Sequence, residues 1–259
     1  MQFRPCIDIH NGKVKQIVGS SLKDLGNQAE ENYVSEYDSA FYAKLYQSFH
    51  IKGGHIIMLN SSDSEFYETT KQQALLALRT YPGGLQVGGG IHDGNAKEFL
   101  EAGASHVIVT SYVFSDGRIN FENLNRLVDV VGKKHLVLDL SCRKKDGAYH
   151  IVTDRWQKFV EEKLTVELLD KLSGYCDEFL IHAVDVEGKS NGIEEELVEF
   201  LGNWGKIPVT YAGGVRSFED LEKVRTLGQE RLHVTIGSAL SLFGGDMDFK
   251  EVIDFCDTE

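Results

Sequence analysis

The chain has 259 residues, 42% of them apolar, and a formal charge of −13. That length and composition suit one packed α/β domain of closed-barrel size. The negative charge argues against nucleic acid or an anionic membrane surface as the partner. No apolar run approaches the roughly 20 residues of a bilayer-spanning helix. The N-terminal stretch MQFRPCIDIHNGKVKQ lacks a signal-peptide pattern, so a cytoplasmic protein is expected. Cys6, Cys142, Cys176 and Cys256 form no CxxC pair and read as reduced packing residues. The nine histidines show no zinc spacing, and no structural metal is expected.

In chain order, β-branched runs alternate with helical patterns. Strand Arg4–Ile9 comes first, then a long connection, Asn11–Tyr37. Helix Ser39–Phe49 precedes strand His55–Asn60, and helix Glu68–Thr80 precedes strand Leu85–Val87. Helix Ala96–Ala102, strand His106–Thr110 and helix Phe121–Val131 complete the first half. Strand His135–Leu140 opens the second, followed by a long connection, Arg143–Lys163, with the hairpin-like stretch KKDGAYHIVTDRW. Then come helix Val166–Ser173, strand Glu178–Ala183, helix Glu194–Leu201, strand Ile207–Tyr211, helix Phe218–Leu227 and strand His233–Ile236. This alternation requires a parallel sheet with right-handed crossovers. Eight strands predict a single (β/α)8 TIM barrel over residues 1–259, with an open doubly wound sheet as the alternative. Both long connections follow strands and so lie on the C-terminal face, where this fold builds its sites.

The chain also repeats. LQVGGGIHD at Leu85–Asp93 matches VTYAGGVRS at Val209–Ser217, and VIVTSYVF at Val107–Phe114 matches VTIGSALSLF at Val234–Phe243. Gly90 to Ser111 spans 21 positions and Gly214 to Ser238 spans 24, so the barrel is expected to be a two-fold half-barrel repeat. Glycines at a strand end let backbone approach an oxyanion, and Thr110, Ser111 and Ser238 add hydroxyl donors. With the molecule's overall field repelling anions, such local donors have to supply the attraction. Two matched sites point to a substrate with two phosphates; one Gly-Gly alone would read as a tight turn. The same comparison pairs Asp8 with Asp139, each near the end of the first strand of its half. Two carboxylates facing one cleft can serve as general base and general acid, whereas each alone could cap a loop or pair with a basic neighbour.

Taken together, CIDIHNGKV, LQVGGGI, VIVTSYVF, LVLDLSCR, IHAVDVEG, VTYAGGVRS and TIGSAL resemble the histidine-biosynthesis isomerase family, in its fungal or plant branch, from Phe3 to about Gly245. The resemblance implies a cofactor-free Amadori rearrangement. In it the aminoaldose phosphoribosylformimino-aminoimidazole carboxamide ribotide becomes its aminoketose. The resemblance makes Asp8 the base and Asp139 the acid. It assigns Gly89, Gly90, Thr110 and Ser111 to one phosphate, and Gly213, Gly214, Gly237 and Ser238 to the other. Trp156 resembles a family tryptophan that stacks on the imidazole ring of the substrate, against the plainer reading of a loop anchor packed on Tyr149. Arg143 and His182 are further candidate substrate contacts. A register shift would instead put Ser141 at the acid's place. The strand-six threonine of bacterial members is missing from His182-Ala-Val-Asp185, and the strand-two histidine and aspartate of some members match Ile57 and Asn60. The rivals are the cyclase of the next pathway step, a phosphosugar-binding barrel without catalysis, and an enzyme that also isomerises phosphoribosyl anthranilate. Cyclases carry a lysine where this chain has His10. The half-barrel plan needs no second subunit, so a monomer is expected.

Overall fold

The structure is a computed structural model that describes residues 1–17, 31–115, 117–153, 156, 158–186 and 192–257. Eight parallel strands form the expected (β/α)8 barrel: Cys6–His10, Gly54–Met58, Leu85–Gly88, Val107–Val109, Leu136–Asp139, Glu178–His182, Val209–Ala212 and Leu232–Thr235. They are called strands one to eight below. Each differs from its sequence-based bounds by a few residues. The barrel closes between strand eight and the residues just before strand one. Arg4 N donates to Val234 O at 2.8 Å, and Val234 N donates to Gln2 O at 3.0 Å. Arg4, expected inside strand one, therefore belongs to this closing seam.

The helices cover the outside. Asp38, Asn120, Thr165 and Ser217 cap four of them, each side chain accepting from a backbone N–H three residues on. The seven expected helices are present, and an eighth, Phe249–Asp257, was not anticipated. Its signals stand in the sequence. Asp248 accepts from the N–H groups of Lys250 and Glu251, and Phe249, Val252, Ile253 and Cys256 form one buried stripe. All four cysteines are buried outside any disulfide, and burial lifts the Cys176 thiol to about 12 and that of Cys256 to about 11.

Side chains alternate along each strand, so every second residue faces the barrel axis. The inward residues sort into three levels. At the floor, the carboxylate of Glu178 forms an ion pair with Arg4, accepts from Thr210 Oγ1 at 2.6 Å and accepts from Gln86 Nε2 at 3.1 Å. Above it, Ile57, Ile108, Val137, Leu180 and Ala212 pack as a small apolar cluster separate from the main core. The next inward positions, near the C-terminal ends, carry Asp8, Asp139, His182 and Thr235. His55, two residues before Ile57 on the same inward face, lies beside this cluster, 6.4 Å ring to ring from His182 and near enough to Arg4 to feel its charge.

Two additions sit on the C-terminal face. Asn11 and Gly12, with φ of 52° and 72°, turn strand one back into an antiparallel strand, Lys13–Ile17, which pairs with Glu31–Val34. Asn-Gly is the residue pair such a two-residue turn favours, and the structure thus finds a hairpin at the start of the expected long connection. Residues 18–30 of that connection lie outside the described residues. The second addition is a three-stranded sheet, Cys142–Lys145, Ala148–Thr153 and Lys158–Lys163, turning at Asp146 and Gly147. It contains the hairpin expected after strand five.

The floor ion pair is nearly solvent-free, with side-chain exposures of 10% for Arg4 and 4% for Glu178. Glu178→Ala would leave a buried guanidinium without its counter-ion, and we expect a loss of about 3–5 kcal/mol in urea unfolding. A loss below about 1 kcal/mol would mean the seam does not depend on this pair.

Candidate active site

The top of the barrel is hollowed into a cavity of about 310 Å³, within the lower range of small-molecule sites. Its wall contains Asp8, Asp139, Trp156 and His182. It also contains both glycine pairs, Gly89–Gly90 and Gly213–Gly214, with their companions Thr110, Ser111, Gly237 and Ser238. Ten of the expected residues thus join Asp8 and Asp139 around one space. Arg143 does not. Its Nε donates to Asp185 Oδ1 at 2.9 Å, its guanidinium lies over the Phe159 ring, and it is absent from the cavity wall. Arg143, an expected ligand contact, is thus not among the residues gathered around the cavity. Four residues beyond the end of strand five, it is already part of the outer sheet, and Asp185 pairs with it there.

The two glycine pairs have matching backbones. Gly89 and Gly90 have φ of 98° and 69°; Gly213 and Gly214 have 125° and 76°. Side-chain-bearing residues rarely adopt these values. Space is limiting at one member of each pair. A Cβ on Gly89 would fall 2.1 Å from the Met58 carbonyl oxygen, and one on Gly214 would fall 2.1 Å from that of Gly192. Gly90 differs, since a Cβ there would meet nothing within 4 Å. The chain therefore turns sharply past the ends of strands three and seven, and Ser111 and Ser238, which follow strands four and eight, line the same cavity.

Asp139 ends strand five and points inward. Its Oδ1 accepts from Ser141 N at 2.9 Å and Ser141 Oγ at 2.8 Å, and His182 Nδ1 lies 3.3 Å away. Burial pushes the Asp139 carboxyl up, but the His182 ring and the two Ser141 donors outweigh it and hold the pKa below the ordinary carboxylate value. Ser141 is fully buried and supports Asp139; in turn its Oγ accepts from Trp156 Nε1 at 3.1 Å. The Trp156 ring stands 5.8 Å from that of His182. Tyr149, the other candidate neighbour of Trp156, donates instead to Glu194 at 3.0 Å.

Across the cavity, Asp8 Oδ2 accepts from Gln16 Nε2 at 3.2 Å, and the same Nε2 lies 3.4 Å from Cys6 Sγ. Gln16 was not expected here. The Asn11–Gly12 turn brings it over strand one, and that dipeptide was the available signal. Asn60 holds the turn: its Oδ1 accepts from Asn11 N at 2.8 Å and from Thr70 Oγ1 at 2.7 Å. His55 was also missed, although it lies two residues before Ile57 on the same inward face. Burial, then the nearby His182, pushes the His55 imidazole down to about 3, so it is neutral. Among the described residues, ligand atoms of Cys6, Asp8 and His55 all lie within 4.8 Å of one another, a donor set suited to a soft cation.

Comparison with known proteins agrees with this architecture. The model of the histidine biosynthesis protein family matches residues 2–247. A chloroplastic protein of Medicago truncatula is 55% identical over 98% of this chain and 81% of its own length. Relatives from Neurospora crassa, at 46% over 94% of this chain and 93% of theirs, and Saccharomyces cerevisiae, at 41% over 95% and 94%, are similar throughout. All three are named isomerases of an imidazole carboxamide that carries a phosphoribosyl and a phosphoribosylamino group. The match covers nearly the whole barrel, both glycine pairs and both aspartates, and the chain belongs to the histidine biosynthesis protein family.

Proposed function

We propose that this chain is the aldose–ketose isomerase of histidine biosynthesis, acting on the bis-phosphorylated imidazole carboxamide that its relatives' names describe. The observation that carries the reading is the twin site: two glycine pairs of like backbone at opposite positions of one cavity. The substrate named for the relatives has a phosphoribosyl unit at each end, so its phosphates match the two-fold repeat. Gly89, Gly90, Thr110 and Ser111 grip one; Gly213, Gly214, Gly237 and Ser238 grip the other. The net charge of −13 makes these neutral donors the source of the attraction.

With both ends fixed, the aminoribose lies between Asp8 and the Asp139–His182–Ser141 group. Acid from the Asp139 side protonates the ring oxygen, the C1′–O4′ bond breaks, and the nitrogen lone pair forms the C1′=N iminium. Asp8 then takes the C2′ proton to give the enolamine. Return of that proton to C1′, with loss of the C2′ hydroxyl proton, yields the ketose. Atoms and electrons balance within the substrate, and the chemistry calls for no redox cofactor. Gln16 orients the Asp8 carboxylate, and Trp156 offers an indole face to the substrate's imidazole ring.

The cyclase reading is weaker because His10 occupies the position of the cyclase lysine. We place the enzyme in the cytosol as a one-domain monomer with neither nucleic acid nor membrane as partner. The Medicago relative, by contrast, is named chloroplastic. No described helix is long and apolar enough to cross a membrane.

Asp8→Asn should lower kcat by about 10²–10⁴-fold while the bis-phosphorylated substrate still binds; an unchanged kcat would remove Asp8 as the base. Gly90→Ala meets no protein atom but strains a φ of 69°; it should fold with a cost of roughly 1–2 kcal/mol and raise KM about tenfold or more by crowding the phosphate. A KM equal to the parent's would take Gly90 out of the phosphate site.

A further inference from the structure

The acid half of the reaction needs a group that holds a proton at neutral pH and faces the substrate. Asp139 is poorly built for that. A carboxyl group can donate only from a protonated oxygen, and Asp139 Oδ1 already accepts two hydrogen bonds from Ser141 and faces His182 Nδ1. All three contacts favour the ionised form. The carboxylate and imidazole are 13% and 12% exposed, a setting in which an ion pair is screened little. Both residues line the cavity.

We infer that His182, as an imidazolium paired with Asp139, is the proton donor that opens the ribose ring, and that Asp139 is its counter-ion and positioning residue. The inference rests on the isomerase reading above and assigns a role within it. The arrangement is a carboxylate–histidine pair in which Asp139 fixes the ring through Nδ1, and Nε2 delivers the proton. Ser141 locks Asp139 and is itself held by Trp156 Nε1. The indole that would stack on the substrate thus also supports the acid.

The cycle closes without any added reagent. His182 gives its proton to O4′ as the C1′–O4′ bond breaks, and the positive charge passes to the C1′=N iminium. Asp8 takes the C2′ proton and later returns it to C1′. The neutral His182 takes the C2′ hydroxyl proton as the ketone forms, which restores the imidazolium. The other groups facing His182 are consistent with one charged imidazole here. His55, 6.4 Å away ring to ring, is neutral, and the atoms of Asp8 and Cys6 lie beyond it within 4.8 Å of its own ring.

The test compares His182→Gln, His182→Gly and Asp139→Asn with the wild type, each checked for a native circular-dichroism spectrum and thermal melt. Wild-type turnover of the substrate tests the isomerase reading itself; only the variants test this assignment. His182→Gln should lose about 100-fold or more in kcat with KM little changed, and should lose the alkaline limb of the kcat–pH profile. Added imidazole should restore part of the kcat of His182→Gly. Asp139→Asn should keep an alkaline limb but move it to lower pH, because the imidazolium has lost its counter-ion. A purely structural His182 would give neither the rescue nor the altered profile. If His182→Gln stays within about threefold of wild-type kcat with its alkaline limb intact, while Asp139→Asn loses turnover, the proton belongs to Asp139 and the inference falls. Should His182→Gln fail to fold, the rescue and the Asp139→Asn profile decide between the same two outcomes.

Discussion

The constraint on which the molecule depends is the alternation of side chains in a closed parallel barrel. Each strand can send only every second residue inward, and the interior has no water to spare for stranded polar groups. The chain meets this with three levels. Arg4, Glu178, Thr210 and Gln86 form one network at the floor, with Arg4 Nε left without a hydrogen-bond partner among the described residues. Aliphatic side chains fill the middle. Polar groups gather toward the C-terminal ends, where the cavity opens, with His55 buried below them. The cavity therefore opens at one end of the barrel, above the packed interior.

The second organising feature is duplication. The two halves repeat the same strand ending, and their backbone angles agree closely enough to make equivalent niches at Gly89–Gly90 and Gly213–Gly214. Between these niches the halves diverge. Asp8 is paired with Gln16 from the hairpin that follows strand one, whereas Asp139 is paired with His182 and Ser141. Equivalent carboxylates have thus been given unequal surroundings. On the proposed reading, that inequality lets one remove a proton while the other side supplies one.

Much of this was legible in the sequence because it is written in local patterns. The eight strands follow from β-branched runs, the niches from consecutive glycines, and the pairing of Asp8 with Asp139 from the repeat. What escaped depends on contacts between distant segments. Gln16 reaches Asp8 only because the Asn11–Gly12 turn folds its strand back, and Asn60, 49 positions away, holds that turn. Arg143 looked like a ligand contact because it follows Asp139 so closely, but the chain leaves the barrel between them and Asp185 claims the guanidinium. The choice between Asp139 and Ser141 could not be made from spacing, since both line the cavity; the structure shows the serine donating to the aspartate. The final helix was overlooked although Asp248 and its apolar stripe announce it.

The central claim is that one ligand is held at both ends by the two half-barrels. A crystal structure of the protein grown with inorganic phosphate tests it most directly. The account predicts two phosphates across the barrel mouth, one at Gly89, Gly90 and Ser111 and the other at Gly213, Gly214 and Ser238. A single phosphate at saturating concentration, or two in the same half, would contradict it.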